Sequence, residues 1–205
     1  AAGARGYRIV PEAEASNRTV WQRVENATIQ NEHVRLELDR DRGIRSLVGK
    51  KSGRVVLENA GGLLTLQRDH GNFQYEMPVG SELAAAACTM DLRVSRAPGL
   101  CEKAALSGEF PSLDGSPGTP ARWTVELTLV DGIPWVDVAV RVDWDAEASR
   151  LRLKVPSTID SAGGIYEVPF GVVNRRPYAP GFNKKGEWPA QRFVAIEDAE
   201  HGLAL

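Results

Sequence analysis

Residues 69–77 read Asp-His-Gly-Asn-Phe-Gln-Tyr-Glu-Met and bring carboxylate, amide, imidazole and aromatic groups into one short stretch. Amides and carboxylates hydrogen-bond hydroxyl groups, and aromatic rings pack against the apolar faces of sugar rings. This composition makes Asn72, Gln74, Tyr75 and Glu76 candidate substrate-binding residues. In the alternative interpretation, the aromatic residues cover the edge of a sheet and the polar groups cap turns.

Hydrolytic and metal chemistry find less support in the chain. Zinc sites need a cluster of His, Cys or acidic ligands, and the only histidines are His33, His70 and His201. Glycoside hydrolysis needs two carboxylates facing each other in a cleft. Most of the 27 acidic residues fall on the polar faces of predicted strands, so no catalytic pair stands out. We therefore predict no catalytic residue and no metal ligand in this chain.

Composition restricts the partners. The 205 residues carry a net charge of −2, and no run of Lys and Arg is longer than two residues. Nucleic acids and anionic membranes attract concentrated positive charge, so we predict neither as a partner. No apolar run approaches the ~20 residues of a membrane span. Cys88 and Cys101 could bridge a hairpin, but two reduced thiols are the favoured interpretation.

The segment from Arg122 to Pro156 predicts the architecture that would position the candidate loop. Apolar and polar residues alternate along three consecutive runs, separated by a turn at Asp131–Gly132 and a short polar corner. Such alternation is typical of antiparallel strands with one buried face. We predict an all-β, antiparallel β-sandwich with this meander at its centre. Its predicted core residues are Val138, Val140, Val142, Trp144, Leu151 and Leu153.

The remaining pattern also favours strands. Residues 1–25 lack a clear period and are interpreted as a lead-in or linker, and residues 26–205 as the sandwich domain. A hairpin is predicted from residues 90–95 and 102–110. Residues 78–82 are predicted to be loop, and residues 83–88 either a helical turn or a strand edge.

Two further clusters have structural interpretations. Tyr166–Glu167 and Arg175–Arg176 are predicted to form an ion pair that orients the loop after a strand. The tryptophans could form a carbohydrate platform, but Trp144 shares the apolar face of its strand and is predicted to be core. Trp188, in a Gly- and Pro-rich loop, is the one predicted to be exposed.

Several segments, in this order along the chain, carry a family resemblance. They are residues 31–39, 43–47, 51–54, 142–144, 151–155, 166–171, 189–193 and 202–205. The strongest is Tyr-Glu-Val-Pro-Phe-Gly at 166–171. Across roughly residues 26–205 the chain resembles the C-terminal β-domain of glycoside hydrolase family 38 α-mannosidases. The family's sequence continues past Leu205, so we expect a fragment of a longer enzyme.

The resemblance implies a supersandwich of the galactose-mutarotase-like type. It also implies a missing N-terminal catalytic domain, whose barrel carries the nucleophilic Asp, the general acid and the zinc ligands. The expected role is then a non-catalytic domain that supports and partly lines the α-mannoside site of its parent. The resemblance also favours a sugar contact by the loop of residues 69–77 because, in the family, a loop of this domain leans over the groove of the barrel.

Two alternatives remain open at the level of sequence. A free-standing carbohydrate-binding module would need a row of exposed aromatic residues. An aldose epimerase-like enzyme could use His70 together with Glu76 or Glu82 as acid and base. Similarity of fold alone does not decide among these activities.

Overall fold

A computed structural model describes residues 20–72, 76–113, 121–176 and 188–205. Most of the described residues lie in strands, and a single 3-10 turn at Ala85–Ala87 is the helical element among them. In this part of the chain no helix is long and apolar enough to cross a membrane. The predicted all-β class is confirmed.

Most of the strands follow one another with short connections. In chain order they are β1 (Gln22–Arg23), β2 (Asn26–Gln30), β3 (Val34–Asp39), β4 (Gly43–Gly49), β5 (Arg54–Gly61), β6 (Leu64–Asp69), β7 (Pro78–Ala84), β8 (Met90–Ala97), β9 (Cys101–Phe110), β10 (Ala121–Val130), β11 (Asp137–Trp144), β12 (Ser149–Leu153), β13 (Gly164–Val168), β14 (Gly171–Arg175), β15 (Val194–Glu197) and β16 (Gly202–Ala204). Longer connections precede β10, β13 and β15.

Four antiparallel sheets organise these strands. The largest has the order β1-β8-β9-β10-β11, and a four-stranded sheet has the order β2-β3-β4-β5. A three-stranded sheet, β12-β6-β7, and a four-stranded sheet, β14-β13-β15-β16, complete the described fold. The predicted hairpin of residues 90–95 and 102–110 is present as β8 and β9.

The core lies between the inner faces of these sheets. β10 alternates buried residues with half-buried or exposed ones along its whole length, as the sequence pattern predicts. Its apolar side chains pack with those of the β2-β3-β4-β5 sheet in one continuous cluster. The largest fully buried side chains are Phe110, Ile29, Leu36, Ile44, Leu66, Leu92, Leu106, Leu127, Leu129 and Val125.

The prediction that β11 is core is wrong for three of its four residues. Val138, Val140 and Trp144 are 43%, 39% and 40% exposed, whereas Val142 is half-buried and packs against the core. These residues do share the apolar face of β10, because Val125 pairs with Val140 in register. However, β11 is the last strand of its sheet, and the second layer of the described residues does not cover it.

The predicted meander is also wrong in its third strand, β12. β12 does not pair with β11, and instead crosses to the sheet of β6, where Leu151 lies opposite Leu66. Leu151 is half-buried there, and Leu153 at the end of the strand is 52% exposed. The polar corner between β11 and β12 is therefore a connection between two sheets, not a hairpin turn.

The chain before β8 differs from prediction in two places. Residues 78–82, predicted as loop, belong to strand β7, because β7 pairs with β6. The next residues form the 3-10 turn at Ala85–Ala87, in agreement with the helical-turn alternative. Within the predicted lead-in, Gln22–Arg23 pair with β8, and residues 1–19 lie outside the described residues. The domain boundary stays a prediction.

The two cysteines are both free thiols, as favoured by the sequence analysis. Burial raises the pKa of the Cys88 thiol, so this group stays protonated near neutral pH.

Asn31 joins two distant turns through its side chain. Its Nδ2 donates to the carbonyl oxygens of Val130 at 2.9 Å and Ile133 at 2.8 Å. Its Oδ1 accepts from the backbone N–H groups of His33 at 2.9 Å and Val34 at 3.0 Å. Asn31 is only 6% exposed, so this amide holds the β2–β3 turn against the β10–β11 turn without competition from water.

Asn31→Ala is expected to lower the free energy of unfolding by about 2–4 kcal/mol, because four bonds of about 1 kcal/mol each are lost in a buried site. Asn31→Asp keeps the acceptor but places an oxygen against two carbonyl oxygens. Its loss of unfolding free energy should therefore be at least as large as that of Asn31→Ala. Urea denaturation measures both, with Asn26→Ala, at an exposed position of β2, as the control. An Asn31→Ala protein as stable as the Asn26→Ala protein would show that the two turns are held by other contacts.

Candidate functional site

The candidate loop connects β6 to β7 and is positioned by the β12-β6-β7 sheet. β6 ends at Asp69 and β7 begins at Pro78, which pairs with Asp69 across the two strands. β12 lies on the other side of β6, with Arg150 opposite Gln67 and Arg152 opposite Thr65. The polar face of this sheet therefore carries the side chains next to the loop.

Asp69 closes the base of the loop. Its Oδ1 accepts the backbone N–H groups of Gly71 at 2.7 Å and Met77 at 2.8 Å. The backbone N–H of His70 donates to the carbonyl of Met77 at 3.1 Å. The backbone N–H of Asp69 donates to the carbonyl of Ala148 at 2.8 Å. These bonds fix the two ends of the loop against each other and against the start of β12.

Glu76 is held by two arginines of β12. Its Oε2 contacts Nη1 of Arg150 and lies 3.4 Å from Nη2 of Arg152. Arg150 also approaches Asp69, with 3.7 Å between Nε and Oδ2, and donates to Oε1 of Gln67 at 3.4 Å. The carboxylate of Glu76 therefore anchors the C-terminal side of the loop to β12.

Glu82 continues the same row of charges along β7. Its Oε2 accepts from Nζ of Lys154 at 3.0 Å, and its Oε1 lies 3.8 Å from Nη1 of Arg152. The hydrogen bond from Lys154, with the nearby positive charges, lowers the pKa of Glu82 from its usual 4.5. Acidic side chains of the loop and β7 thus face basic side chains of β12 across β6.

The ion pair of Glu82 gives stability a predictable pH dependence. Because its pKa is lowered on folding, its contribution is present above the unfolded pKa and is lost as pH falls through the folded pKa. Glu82→Gln is expected to be less stable near pH 7, by under about 1 kcal/mol, and the difference is expected to be smaller at pH 3, which lies below the usual pKa of the group. Urea midpoints at both pH values measure this, with the exposed Glu147→Gln as control. A difference that persists unchanged at pH 3 would rule out the ion pair as its cause.

The structure places the four candidate residues as follows. Asn72 is exposed and Glu76 is half-buried against β12, whereas Gln74 and Tyr75 lie outside the described residues. The sequence analysis missed Arg150 and Arg152 as partners of the loop. Their signal is the alternation of basic residues along β12, which the strand pattern alone does not distinguish from a solvated face.

The described residues provide no metal site. In residues 20–72, 76–113, 121–176 and 188–205, no group of three or more His, Cys, Asp or Glu side chains is arranged so that it could hold a metal ion. His70 is exposed, and His201 instead contacts Arg54 through its imidazole. These described residues therefore do not fit a zinc ion of the kind that the family resemblance implies for the parent.

The second cluster pairs differently from the prediction. Glu167 binds Arg192, with 2.8 Å between Oε1 and Nε, whereas the prediction gave it Arg175–Arg176. Arg175 stacks on the rings of Tyr166 and Trp188, at 5.6 and 5.0 Å from the ring centroids. Its cation is thus engaged by aromatic faces instead of a carboxylate.

The tryptophans also differ from prediction. Trp188 is half-buried under Arg175 and donates its Nε1–H to the carbonyl of Arg176 at 2.9 Å. The exposed tryptophans include Trp135 and Trp144, at 57% and 40% exposure. They flank the two ends of β11, with valines between them, and so do not form a continuous aromatic row.

The fold and the site define an antiparallel β-sandwich domain with a loop braced by ion pairs at one sheet. Residues 112–205 match the family described as "Glycosyl hydrolases family 38 C-terminal domain". The family resemblance stated above is confirmed by this match. No curated protein sequence matches the chain.

Two solved structures share the fold. An alpha-mannosidase from Enterococcus faecalis V583 superposes with a TM-score of 0.72 at 14% identity, over 91% of this chain and 24% of that one. A protein in glycosyl hydrolase family 38 from Enterococcus faecalis superposes with a TM-score of 0.71 at 15% identity, over 91% and 25%. This chain therefore spans about a quarter of the length of these neighbours.

Proposed function

We propose that this chain is the non-catalytic C-terminal β-sandwich domain of a family 38-like α-mannosidase, where it supports and partly lines the sugar site of a catalytic barrel. The observation that carries the proposal is the match of residues 112–205 to the C-terminal domain of that family. The shared fold, which covers 91% of the chain, supports the same placement.

The geometry of the described carboxylates supports a non-catalytic role. Glu76 is paired with Arg150 of β12 and Glu82 with Lys154 just after that strand, and the pKa of Glu82 is lowered. A general base works best with a pKa near the working pH, so this environment weakens Glu82 as a proton acceptor. The observation disfavours the epimerase alternative, which needs His70 beside an active Glu. Zinc chemistry in the parent belongs to its barrel in this proposal.

The loop of residues 69–77 is proposed to reach the sugar. Asp69 and Glu76 fix its two ends, and Gln74 and Tyr75, which lie between them in sequence, are the side chains proposed to meet a ligand. Asn72, which is exposed, completes the set. In this arrangement Glu76 acts mainly by positioning the residues before it, through Arg150.

Tyr75→Ala in the complete parent protein is expected to lower kcat/KM for an aryl α-mannoside by about ten- to two-hundredfold, because contacts with remote hydroxyls contribute about 1–3 kcal/mol to transition-state binding. Glu76→Ala should give a similar loss by releasing the loop. Steady-state kinetics measure both, and the exposed Glu58→Ala serves as control. Thermal unfolding of each variant separates loss of activity from loss of structure.

Three outcomes would contradict parts of the proposal. If Tyr75→Ala and Glu76→Ala both fold normally and keep parental kcat/KM, the loop is only a sheet edge. If the parent does not hydrolyse α-mannosides, the assignment of the enzyme is wrong. Turnover of an aryl α-mannoside by the isolated chain, sensitive to mutations within it, would show that this domain is itself catalytic.

A further inference from the structure

Phe170 sits in an unusual position at the tip of the β13–β14 hairpin. Val168 pairs with Gly171, so Pro169 and Phe170 form the two central turn residues. Phe170 has a φ of +69° and is fully exposed, at 109% of its reference area. Bulky side chains rarely adopt positive φ, and glycine is the residue usually found at such a turn position. A strained, exposed aromatic residue at a hairpin tip points to a role outside the hairpin.

Other apolar side chains lie on the hairpin beside this tip. Val172 of β14 is 58% exposed and pairs with Glu167 of β13. Phe193, whose carbonyl accepts the backbone N–H of Glu167 at 3.2 Å, is 36% exposed. Phe170, Val172 and Phe193, together with Glu167, are named here the hairpin face.

Glu167 adds an independent observation. Its residue is only 6% exposed, and Arg192 occupies its Oε1 while remaining largely in solvent itself. Its Oε2 is buried and has no hydrogen-bond partner among the described residues. The hydrogen bond from Arg192 lowers the pKa of Glu167, so the carboxylate is ionised at neutral pH. A buried acceptor that lacks a donor is costly, and such groups are nearly always satisfied in a complete structure.

We propose that the hairpin face is the surface on which the rest of the parent glycosidase docks, with Phe170 inserted into an apolar socket and an N–H or O–H group donated to Oε2 of Glu167. This inference rests on the proposed function. It draws on the length of the structural neighbours, since this chain spans only 24% of one of them. Most of such a protein lies outside the part that this domain matches, so a surface that contacts the remainder is expected. Aromatic anchors surrounding a desolvated polar contact are typical of interface centres.

Amide hydrogen exchange of the complete parent protein tests the docking surface without any mutation. The amides of residues 170–172 are expected to exchange slowly, as buried groups do, although in this domain they lie at or beside an exposed turn; Pro169 has no amide hydrogen. Rapid exchange at these residues, with protection elsewhere in β13, would overturn the proposal.

A matched pair of substitutions tests the anchor in the same protein. Phe170→Ala is expected to lower the Tm of the parent by several degrees. Leu100→Ala removes a side chain that is 45% exposed at the β8–β9 turn and should leave the Tm within about one degree. Equal effects of the two substitutions would contradict an anchoring role. An unchanged Tm with a raised KM for an aryl α-mannoside would show that the hairpin faces sugar, which also overturns docking.

Failure of this inference can be distinguished from failure of the proposed function. A parent that hydrolyses α-mannosides while the amides of residues 170–172 exchange rapidly would retain the function and lose the docking surface. A parent that is inactive on α-mannosides but whose hairpin amides are protected would retain the docking surface and contradict the proposed function.

Discussion

Val125→Asp is expected to unfold the domain. Val125 lies in the middle of β10 and is 0% exposed, within the continuous apolar core. The substitution places a carboxylate among apolar side chains with no partner, which costs several kcal/mol even after the group takes up a proton. Domains of this size are stable by about 5–15 kcal/mol, so most of the stability would be lost. Near-UV circular dichroism and urea denaturation measure the result.

Val140→Asp is the matched control. Val140 lies opposite Val125 in register and on the same face, but is 39% exposed at the edge of the sheet. Its carboxylate can reach water, so the change should cost no more than about 1 kcal/mol. If the two proteins are destabilised equally, β11 is covered by a further layer in solution and its assignment as an open edge is wrong.

Gly43→Ala is expected to cost several kcal/mol for two reasons. Gly43 has a φ of +72°, which costs a residue with a Cβ about 1–2 kcal/mol. A Cβ at this position would also lie 2.4 Å from the carbonyl carbon and oxygen of Gly61, so β4 and β5 must separate. Forcing atoms into a packed site typically costs about 1–3 kcal/mol more.

Gly53→Ala separates these two contributions. Gly53 has nearly the same φ, +71°, but apart from its chain neighbours no atom lies within 4 Å of the point that a Cβ would occupy, so only the conformational cost applies. Urea denaturation of both proteins should therefore show a loss of about 1–2 kcal/mol for Gly53→Ala and a clearly larger loss for Gly43→Ala. Equal losses would mean that the backbone at Gly61 moves aside without cost.

The sequence was informative where strands are local and regularly alternating. The hairpin of β8 and β9, the buried face of β10 and the turn at Asp131–Gly132 all follow from residues close together in the chain. Alternation shows which side chains share a face, but it does not show whether another layer covers that face. For this reason the alternation predicts Val140 as a core residue, although its strand lies at the edge of the sheet.

The partners of the candidate loop could not be predicted for a related reason. The loop itself was recognised from its composition, but its arginine contacts depend on β12 lying beside β6, more than seventy residues away in sequence. A meander would have placed β12 beside β11 instead. Only the sheet order brings Arg150 to Glu76, and sheet order is not encoded in the period of a strand.

The bonds of Asn31 have a consequence for the order in which the domain folds. They span 99 and 102 residues of sequence, so they form only after both turns exist and the intervening chain has been brought together. Contacts of such long sequence separation are slow to form and are commonly absent from the transition state. Loss of the Asn31 amide should therefore accelerate unfolding, with little change in the folding rate. The contact between the two turns would then form late in folding, and it would determine the unfolding rate and so the lifetime of the folded domain.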